Sequence, residues 1–205
     1  MYNCRIMIIP EDEKKIQNAL SSVVEIPKTE WVRLRNILTY RELQPGQYFV
    51  RAGDVPLEIG FVLTGLLRKF YETQDGNLYI KDFSVENRLV TSYSALILGQ
   101  ASRLNIQAME PTRLLAIPFS NLKELYTLHK CWEAMGRRIA ENLFIEREQR
   151  EWELLVFKAE ERYALFKRQF PDLISRIPQY DIASYLGISP VSLSRIIGQK
   201  KKQFQ

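Results

Sequence analysis

The sequence predicts an α+β protein in which a β-rich N-terminal domain is followed by a long helix and an all-α C-terminal domain. Three observations support this order. Turn residues recur at intervals of about 8–12 residues between positions 44 and 117, which is typical of a small sandwich or barrel. Residues 118–153 then permit a helix almost throughout, and residues 179–197 carry the pattern of a helix, a glycine turn and a second helix.

The first domain, residues 1–117, is predicted to begin with two short helices, of which the second carries Trp31, Leu34 and Leu38 on one face. Asp75-Gly76 separates two strand-like runs and predicts a hairpin with a type I′ turn, since both residue types tolerate positive φ. The expected helices and strands are residues 11–23, 29–39, 66–72, 78–83, 104–109 and 113–117.

Residues 118–154 are predicted to form a long helix through which two copies of the chain dimerise. Apolar residues recur along it at three- and four-residue spacing, as in two helices packed on each other. Gly136 and Ala140 would allow a close approach of the partner helix. The expected dimer contacts are Trp132, Met135, Gly136, Ile139 and Leu143. In the alternative, this stripe packs against the chain's own β-domain.

The last domain, residues 155–205, contains the predicted helix-turn-helix. Ile182 and Leu186 share one helical face, Gly187 ends that helix, and Ser189 followed by Pro190 caps and begins the next. The outward face of the second helix and the basic run after it are suited to a major groove and its phosphates. The candidate DNA contacts are Ser189, Val191, Ser192, Ser194, Arg195, Gln199, Lys200, Lys201 and Lys202. An ordinary corner between two helices remains the alternative.

Composition excludes several other classes of protein. A net charge of +5 is a mild excess that suits a polyanionic partner. Cys4 and Cys131 are too few for a disulfide framework, a four-thiolate zinc site or an iron–sulfur cluster. The single histidine, His129, is too few for the His-rich metal centre of a cupin enzyme, so we expect no metal and no catalytic activity. The sequence lacks a membrane-spanning run and the layout of a signal peptide, which predicts a cytoplasmic protein without a membrane partner.

Seven segments, in this order and at these intervals, resemble the Crp-Fnr family of bacterial transcription regulators over essentially the whole chain. They are Pro45-Gly46-Gln47, Ala52-Gly53-Asp54, Phe61-Val62-Leu63-Thr64-Gly65, Asp75-Gly76, Glu110-Pro111-Thr112-Arg113-Leu114-Leu115-Ala116-Ile117, Ala159-Glu160-Glu161-Arg162-Tyr163 and Leu193-Ser194-Arg195-Ile196. The sequence of residues 181–195 is most similar to the branch of the family that is common in Bacteroidetes. The resemblance implies a cyclic-nucleotide-binding-type jelly-roll barrel, a dimerisation helix and a winged helix-turn-helix.

The family's nucleotide-binding members hold phosphate with a cassette of a Gly-Glu pair and a following Arg. Here the Gly-Glu pair is missing, and the Arg position falls on Ser102, which lacks the charge for a bidentate phosphate contact. Arg103 would replace it only after a one-residue slip of strand register. We therefore expect an effector other than cyclic AMP, or none, and no resident cofactor. The candidate pocket residues are Thr91, Ser92, Tyr93, Ser102, Arg103 and Asn105.

The DNA-reading residues also depart from the family pattern. Pro190 and Val191 stand where many members have an Arg–Glu pair, whereas Arg195 is retained. The chain after Ile197 is too short for a full two-stranded wing, so we expect a short or absent wing. The resemblance implies double-stranded DNA, a second copy of the chain, a small effector and RNA polymerase as partners. The alternative is a sensor or interaction module that has lost specific DNA binding.

Overall fold

The computed structural model describes residues 8–202. In this range two short helices precede eight strands, a third helix lies between the sixth and seventh strands, and further helices follow the last strand. The helices are α1 (Pro10–Ser21), α2 (Lys28–Ile37), α3 (Tyr93–Leu98), α4 (Phe119–Leu128), α5 (Lys130–Val156), α6 (Ala159–Gln169), α7 (Leu173–Arg176), α8 (Gln179–Leu186) and α9 (Pro190–Lys202). The strands are β1 (Thr39–Leu43), β2 (Tyr48–Val50), β3 (Glu58–Thr64), β4 (Leu67–Glu72), β5 (Leu78–Ser84), β6 (Leu89–Val90), β7 (Asn105–Ala108) and β8 (Thr112–Pro118).

The strands form two four-stranded sheets, in the orders β1-β8-β3-β6 and β2-β7-β4-β5. The pairings β1–β8, β3–β8, β3–β6, β2–β7 and β4–β7 are antiparallel, which is the arrangement expected of a jelly roll. The predicted α+β class with an N-terminal β-domain is confirmed. The domain is not a closed barrel, because the outer strand of each sheet pairs with no further strand among the described residues.

The predicted hairpin joins β4 to β5, but the type I′ turn is wrong. Gly76 has a φ of 78°, whereas Asp75 is not among the described residues with positive φ. The Gly76 N–H donates to Thr73 O at 2.9 Å, and the Thr73 N–H donates to Asn77 O at 3.0 Å. The loop is therefore longer than a two-residue turn, and a glycine at its end supplies the left-handed residue.

The N-terminal helices contribute to the core of the β-domain. Leu34 and Trp31 of α2 are buried with Ile16 of α1 in one apolar cluster, together with residues of β3, β8 and α5. This cluster confirms the apolar face predicted for the second helix. The buried carboxylate of Asp12 accepts hydrogen bonds from Tyr40 Oη at 2.9 Å and Arg113 Nη2 at 3.0 Å, which ties α1 to the sheet.

The predicted single helix over residues 118–154 is two helices, α4 and α5. His129 lies between them with extended backbone (φ −155°, ψ 134°), so the helical hydrogen bonding stops there and α5 begins at Lys130. Sequence periodicity did not indicate this break, since the junction contains neither Pro nor Gly.

The described chain divides into two compact units. The first comprises the residues up to Phe70 together with Phe83–Glu141, and the second comprises Tyr71–Asp82 together with the residues from Asn142 onward. The end of the β4–β5 hairpin thus belongs to the same unit as the helix-turn-helix. The boundaries predicted from sequence, after residues 117 and 154, stay a prediction. No helix in residues 8–202 combines the length and apolarity needed to cross a membrane.

Candidate functional site

The helix-turn-helix consists of α8, a glycine turn and α9. Gly187 ends α8 with a φ of 68°, a left-handed conformation that glycine adopts without the steric cost of a Cβ. Ser189 caps α9, because the Ser192 N–H donates to Ser189 Oγ at 3.2 Å. Buried side chains from both helices form the contact between them: Ile182, Ala183, Leu186, Leu193 and Ile196. The local sequence signals for both helices and for the turn are confirmed.

The outward face of α9 presents the candidate DNA contacts. Val191 is 61% exposed, and Ser194 and Arg195 are also exposed at three- and four-residue spacing from it. Arg195 makes no hydrogen bond or ion pair with another described residue, so its guanidinium is available to a base edge or a phosphate. Ser192 is half-buried, and its Oγ lies 2.9 Å from Ser189 Oγ, so these two hydroxyls also serve the cap.

The remaining candidate DNA contacts lie outside the residues whose side chains are described. They are Gln199, Lys200, Lys201 and Lys202. The backbone of α9 extends to Lys202, the last described residue, so the short or absent wing stays a prediction.

Gln179 and Tyr180, which sequence reasoning missed, are exposed at the first turn of α8. The first helix of a docked helix-turn-helix crosses the DNA backbone, where amide and phenol groups bond phosphate oxygens. Pro178, which provides the N-cap of α8, was the available signal for where that first turn begins.

Two arginines hold the C-terminal end of α8. The Arg150 guanidinium lies 4.0 Å from the centre of the Tyr185 ring and donates to Tyr185 O. Arg162 Nε donates to Leu186 O at 3.0 Å, and its Nη1 donates to Phe157 O just after α5. Burial raises the pKa of Tyr185 to about 12, an increase that Asp82 and Glu153 reinforce and Arg150 opposes. The tyrosine is therefore neutral and packed at physiological pH.

The candidate effector site contains a buried pair of hydroxyl groups. Ser102 Oγ lies 2.8 Å from Ser92 Oγ and 2.8 Å from Leu104 O, and it accepts a hydrogen bond from the Leu104 N–H at 3.0 Å. Ser92 and Ser102 are only 4% and 3% exposed. The hydroxyl of Ser102, the residue that the resemblance aligns with the cassette arginine, is thus already bonded within the chain.

The other candidate effector residues are bonded locally or point elsewhere. Thr91 Oγ1 donates to Glu58 O at 3.0 Å, and the side-chain oxygen of buried Asn105 accepts from the Ala52 N–H at 2.9 Å. Arg103 is exposed. Tyr93 lines a separate groove, so the structure groups Ser92 with Ser102 and does not bring all six residues to one point.

That groove, of about 860 Å³, lies between α3, the α4–α5 junction and the start of α5. Gly136 lies where the Tyr126 hydroxyl approaches α5, because a Cβ on Gly136 would lie 2.8 Å from Tyr126 Oη. Burial raises the pKa of Tyr126, and the neighbouring Tyr93 raises it further. The small residue predicted to admit a partner helix therefore admits a tyrosine of the same chain.

The predicted dimer contacts on α5 need a correction. Trp132 and Met135 are 1% and 4% exposed within the chain's own core, and Ile139 packs against the same cluster. Trp132 Nε1 donates to the buried carboxylate of Glu30 at 2.8 Å. This stretch of the stripe packs with residues of β3 and β8, as the alternative foresaw, and also with residues of α1 and α2.

Further along α5, the exposed side chains differ from the predicted seam. Leu143 is half-buried, whereas Phe144 and Ile145 are 67% and 60% exposed. Both side chains are more exposed than any of the five predicted dimer contacts. Among the residues that the structure describes, no group of His, Cys, Asp and Glu side chains has the arrangement of a metal site.

Comparison with known proteins shows similarity to one domain family and to named bacterial regulators. Residues 40–129 match the cyclic nucleotide-binding domain family. The chain is 29% identical to the transcriptional activator protein FnrA of Stutzerimonas stutzeri, over 76% of this chain and 68% of that protein. It is 26% identical to electron transport regulator A of Shewanella oneidensis, over 79% and 68% of the two chains. Both relatives are named as regulators and neither as an enzyme, in agreement with the absence of catalysis expected from the sequence.

Among solved structures, FixK2 from Bradyrhizobium japonicum superposes with a TM-score of 0.71 at 20% identity, covering 82% of this chain and 86% of FixK2. At this identity the likeness shows the fold, and that fold agrees with the one predicted from the sequence.

Proposed function

We propose that the chain is a transcription regulator of the Crp-Fnr type that binds double-stranded DNA as a homodimer. The observation that carries the proposal is the exposed face of Val191, Ser194 and Arg195 on a buried helix-turn-helix scaffold. Arg195 pairs with a guanine edge or a phosphate, and Val191 contacts a thymine methyl. The bacterial cytoplasm is the expected location, and RNA polymerase is the expected protein partner.

The homodimer places two copies of α9 on successive major grooves. Two-fold symmetry and a separation of about 34 Å would give a pseudo-palindromic site with half-sites one helical turn apart. Support for pairing through α5 comes from Phe144 and Ile145, two large apolar side chains that are well exposed in a single chain. Aromatic side chains such as Phe144 are typical anchors of protein interfaces.

The proposed effector, if one binds, is not cyclic AMP held in the usual way. Ser102 offers no positive charge to a phosphate, and its hydroxyl is bonded to Ser92 and Leu104. A cyclic nucleotide would have to break this buried pair and would gain no charge-assisted bond in return. We therefore expect calorimetric titration of cyclic AMP to about 1 mM to show no binding, a limit that corresponds to about −4 kcal/mol. Saturable heat below that concentration would contradict this part of the proposal.

The DNA-binding role is tested by selection of duplexes from a random library on the immobilised full-length chain. The proposal predicts enrichment of a pseudo-palindrome with half-site centres about 10–10.5 base pairs apart. If no sequence were enriched from the library at moderate salt, the proposed specific DNA binding would be refuted. Affinities must be compared at one ionic strength, because phosphate contacts make binding strongly salt-dependent.

The second candidate is a sensor or interaction module without specific DNA binding. It is favoured by Pro190 and Val191, which stand at the start of α9 where many members of the family carry an Arg–Glu pair that reads a guanine. Mobility-shift titration with the enriched duplex and a scrambled duplex distinguishes the two candidates. Equal retardation of both duplexes would favour the second candidate.

A further inference from the structure

The β4–β5 hairpin ends in an unusual environment for a sheet edge. β5 is the outermost strand of its sheet, so every second residue directs its backbone N–H and C=O away from β4. Such an edge is normally covered, because unpaired backbone groups attract other strands. Here the end of the hairpin, Tyr71–Asp82, lies in the compact unit that contains α8 and α9.

The edge of β5 is covered by one hydroxyl group of α8. Ser184 Oγ accepts a hydrogen bond from the Ile80 N–H at 2.9 Å and donates one to Leu78 O at 2.9 Å. These two backbone groups belong to alternate residues and so lie on the same edge of the strand. A single serine therefore supplies the acceptor and the donor that a neighbouring strand would otherwise provide.

We propose that Ser184 is a positioning residue that fixes the first helix of the helix-turn-helix against the β4–β5 hairpin. The hydroxyl is half-buried, and Ile80 is only 6% exposed, so loss of Ser184 leaves a largely buried N–H without its partner. Alanine removes both hydrogen bonds, whereas threonine retains a hydroxyl on the same carbon.

The residues after Ser184 are held from other directions. Tyr185 O and Leu186 O accept hydrogen bonds from Arg150 and Arg162, respectively. Three consecutive residues at the C-terminal end of α8 are therefore fixed by the hairpin, by α5 and by α6. Because α9 follows after the short Gly187 turn, this anchoring sets the direction in which its outward face points.

The expected effect of Ser184 on DNA affinity rests on the proposed function, whereas its hydrogen-bonded contact with β5 does not. Amide hydrogen exchange of Ile80, measured by NMR on the full-length chain, reports the contact directly. In Ser184→Ala we expect the Ile80 amide to exchange about fivefold to tenfold faster, as the loss of a partly buried hydrogen bond implies. Ser184→Thr should restore slow exchange. The matched control is Ser175→Ala, which removes an exposed hydroxyl bonded only to Asp172 O on α7 and should leave Ile80 unchanged.

The second readout is affinity for the duplex enriched by selection. Ser184→Ala should weaken binding about threefold to tenfold, and Ser184→Thr should restore most of it. Unchanged Ile80 exchange in Ser184→Ala would overturn the proposed contact. Faster exchange with unchanged DNA affinity would overturn the positioning role. Failure of the wild type to bind any duplex would overturn the proposed function and with it the positioning role, while Ile80 exchange would still decide the contact.

Discussion

Replacement of Trp132 by phenylalanine should destabilise the folded chain without weakening the dimer. The indole N–H donates at 2.8 Å to Glu30, whose side chain is only 6% exposed and also lies 3.2 Å from Arg33 Nε. A hydrogen bond to a buried charged group contributes about 1.5–3 kcal/mol, and the smaller ring loses about 1 kcal/mol of apolar burial. We therefore expect the free energy of unfolding to fall by about 3 kcal/mol.

Urea denaturation followed by far-UV circular dichroism measures this loss at one fixed chain concentration, because dimerisation shifts apparent stability by mass action. The double variant Trp132→Phe/Glu30→Gln separates the hydrogen bond from the packing change. A coupling energy of about 1–2 kcal/mol between the two substitutions is expected for groups in direct contact. The contrasting variant is Phe144→Ala, which should raise the dimer dissociation constant in sedimentation equilibrium and change unfolding of the single chain little.

The reasoning would be refuted by the opposite pattern. If Trp132→Phe left the free energy of unfolding within about 0.5 kcal/mol of wild type and weakened dimerisation, Trp132 would be a dimer contact, as its spacing first suggested.

Two further predictions concern single positions. Gly65→Ala should lower the free energy of unfolding by about 3 kcal/mol or more, because the φ of Gly65 is +101° and the new Cβ would lie 2.4 Å from Thr112 Oγ1. Gly53 has a φ of +96° but open space around it, so Gly53→Ala should lower the free energy of unfolding only by the backbone strain of about 1–2 kcal/mol. Urea midpoints that are equal for the two variants would contradict this difference. The raised pKa of Tyr185, about 12 against an ordinary 10.0, contributes stability that is complete below pH 10 and is lost as the pH rises towards 12. In Tyr185→Phe the loss of unfolding free energy between pH 10 and 12 should be smaller by up to about 3 kcal/mol. If the unfolding free energies of variant and wild type ran parallel between pH 9 and about 12, the raised pKa of Tyr185 would be refuted.

The helix-turn-helix was predictable because its signals are local. Gly187 and Ser189 act within a few residues of their own positions, through a left-handed turn and an N-cap, and both are confirmed. The outward face of α9 follows from the same spacing. The β4–β5 hairpin was predictable because Asp75-Gly76 is also a local turn signal. That signal did not determine the length of the loop.

The partner of an apolar stripe could not be predicted from its periodicity. Spacing along α5 shows that one face is apolar, but the group that covers Trp132 is Glu30, 102 residues away in sequence. Ser184 is a similar case, because its two partners lie on a strand 104 and 106 residues earlier. Nothing in the sequence of α8 distinguishes Ser184 from a serine that only lies on the polar face of a helix.

The candidate effector site was predictable in part. The absence of the cassette arginine at Ser102 is visible in the sequence, whereas the hydrogen bond to Ser92 requires the turn before α3 to return to β7. That the pocket does not hold a cyclic nucleotide in the usual way stays a prediction, and the structure adds that the Ser102 hydroxyl is bonded to Ser92 and Leu104.

The most direct test of the DNA-binding role compares Arg195→Ala with wild type on the selected duplex. The account predicts a loss of about 1–3 kcal/mol in binding and relaxed preference at one base pair of each half-site. Arg168→Ala, which removes an exposed arginine from α6 outside the helix-turn-helix, is the matched control and should change affinity by less than about 0.5 kcal/mol. Equal affinity and equal base preference for wild type and Arg195→Ala would contradict the assignment of α9 as the helix that reads DNA.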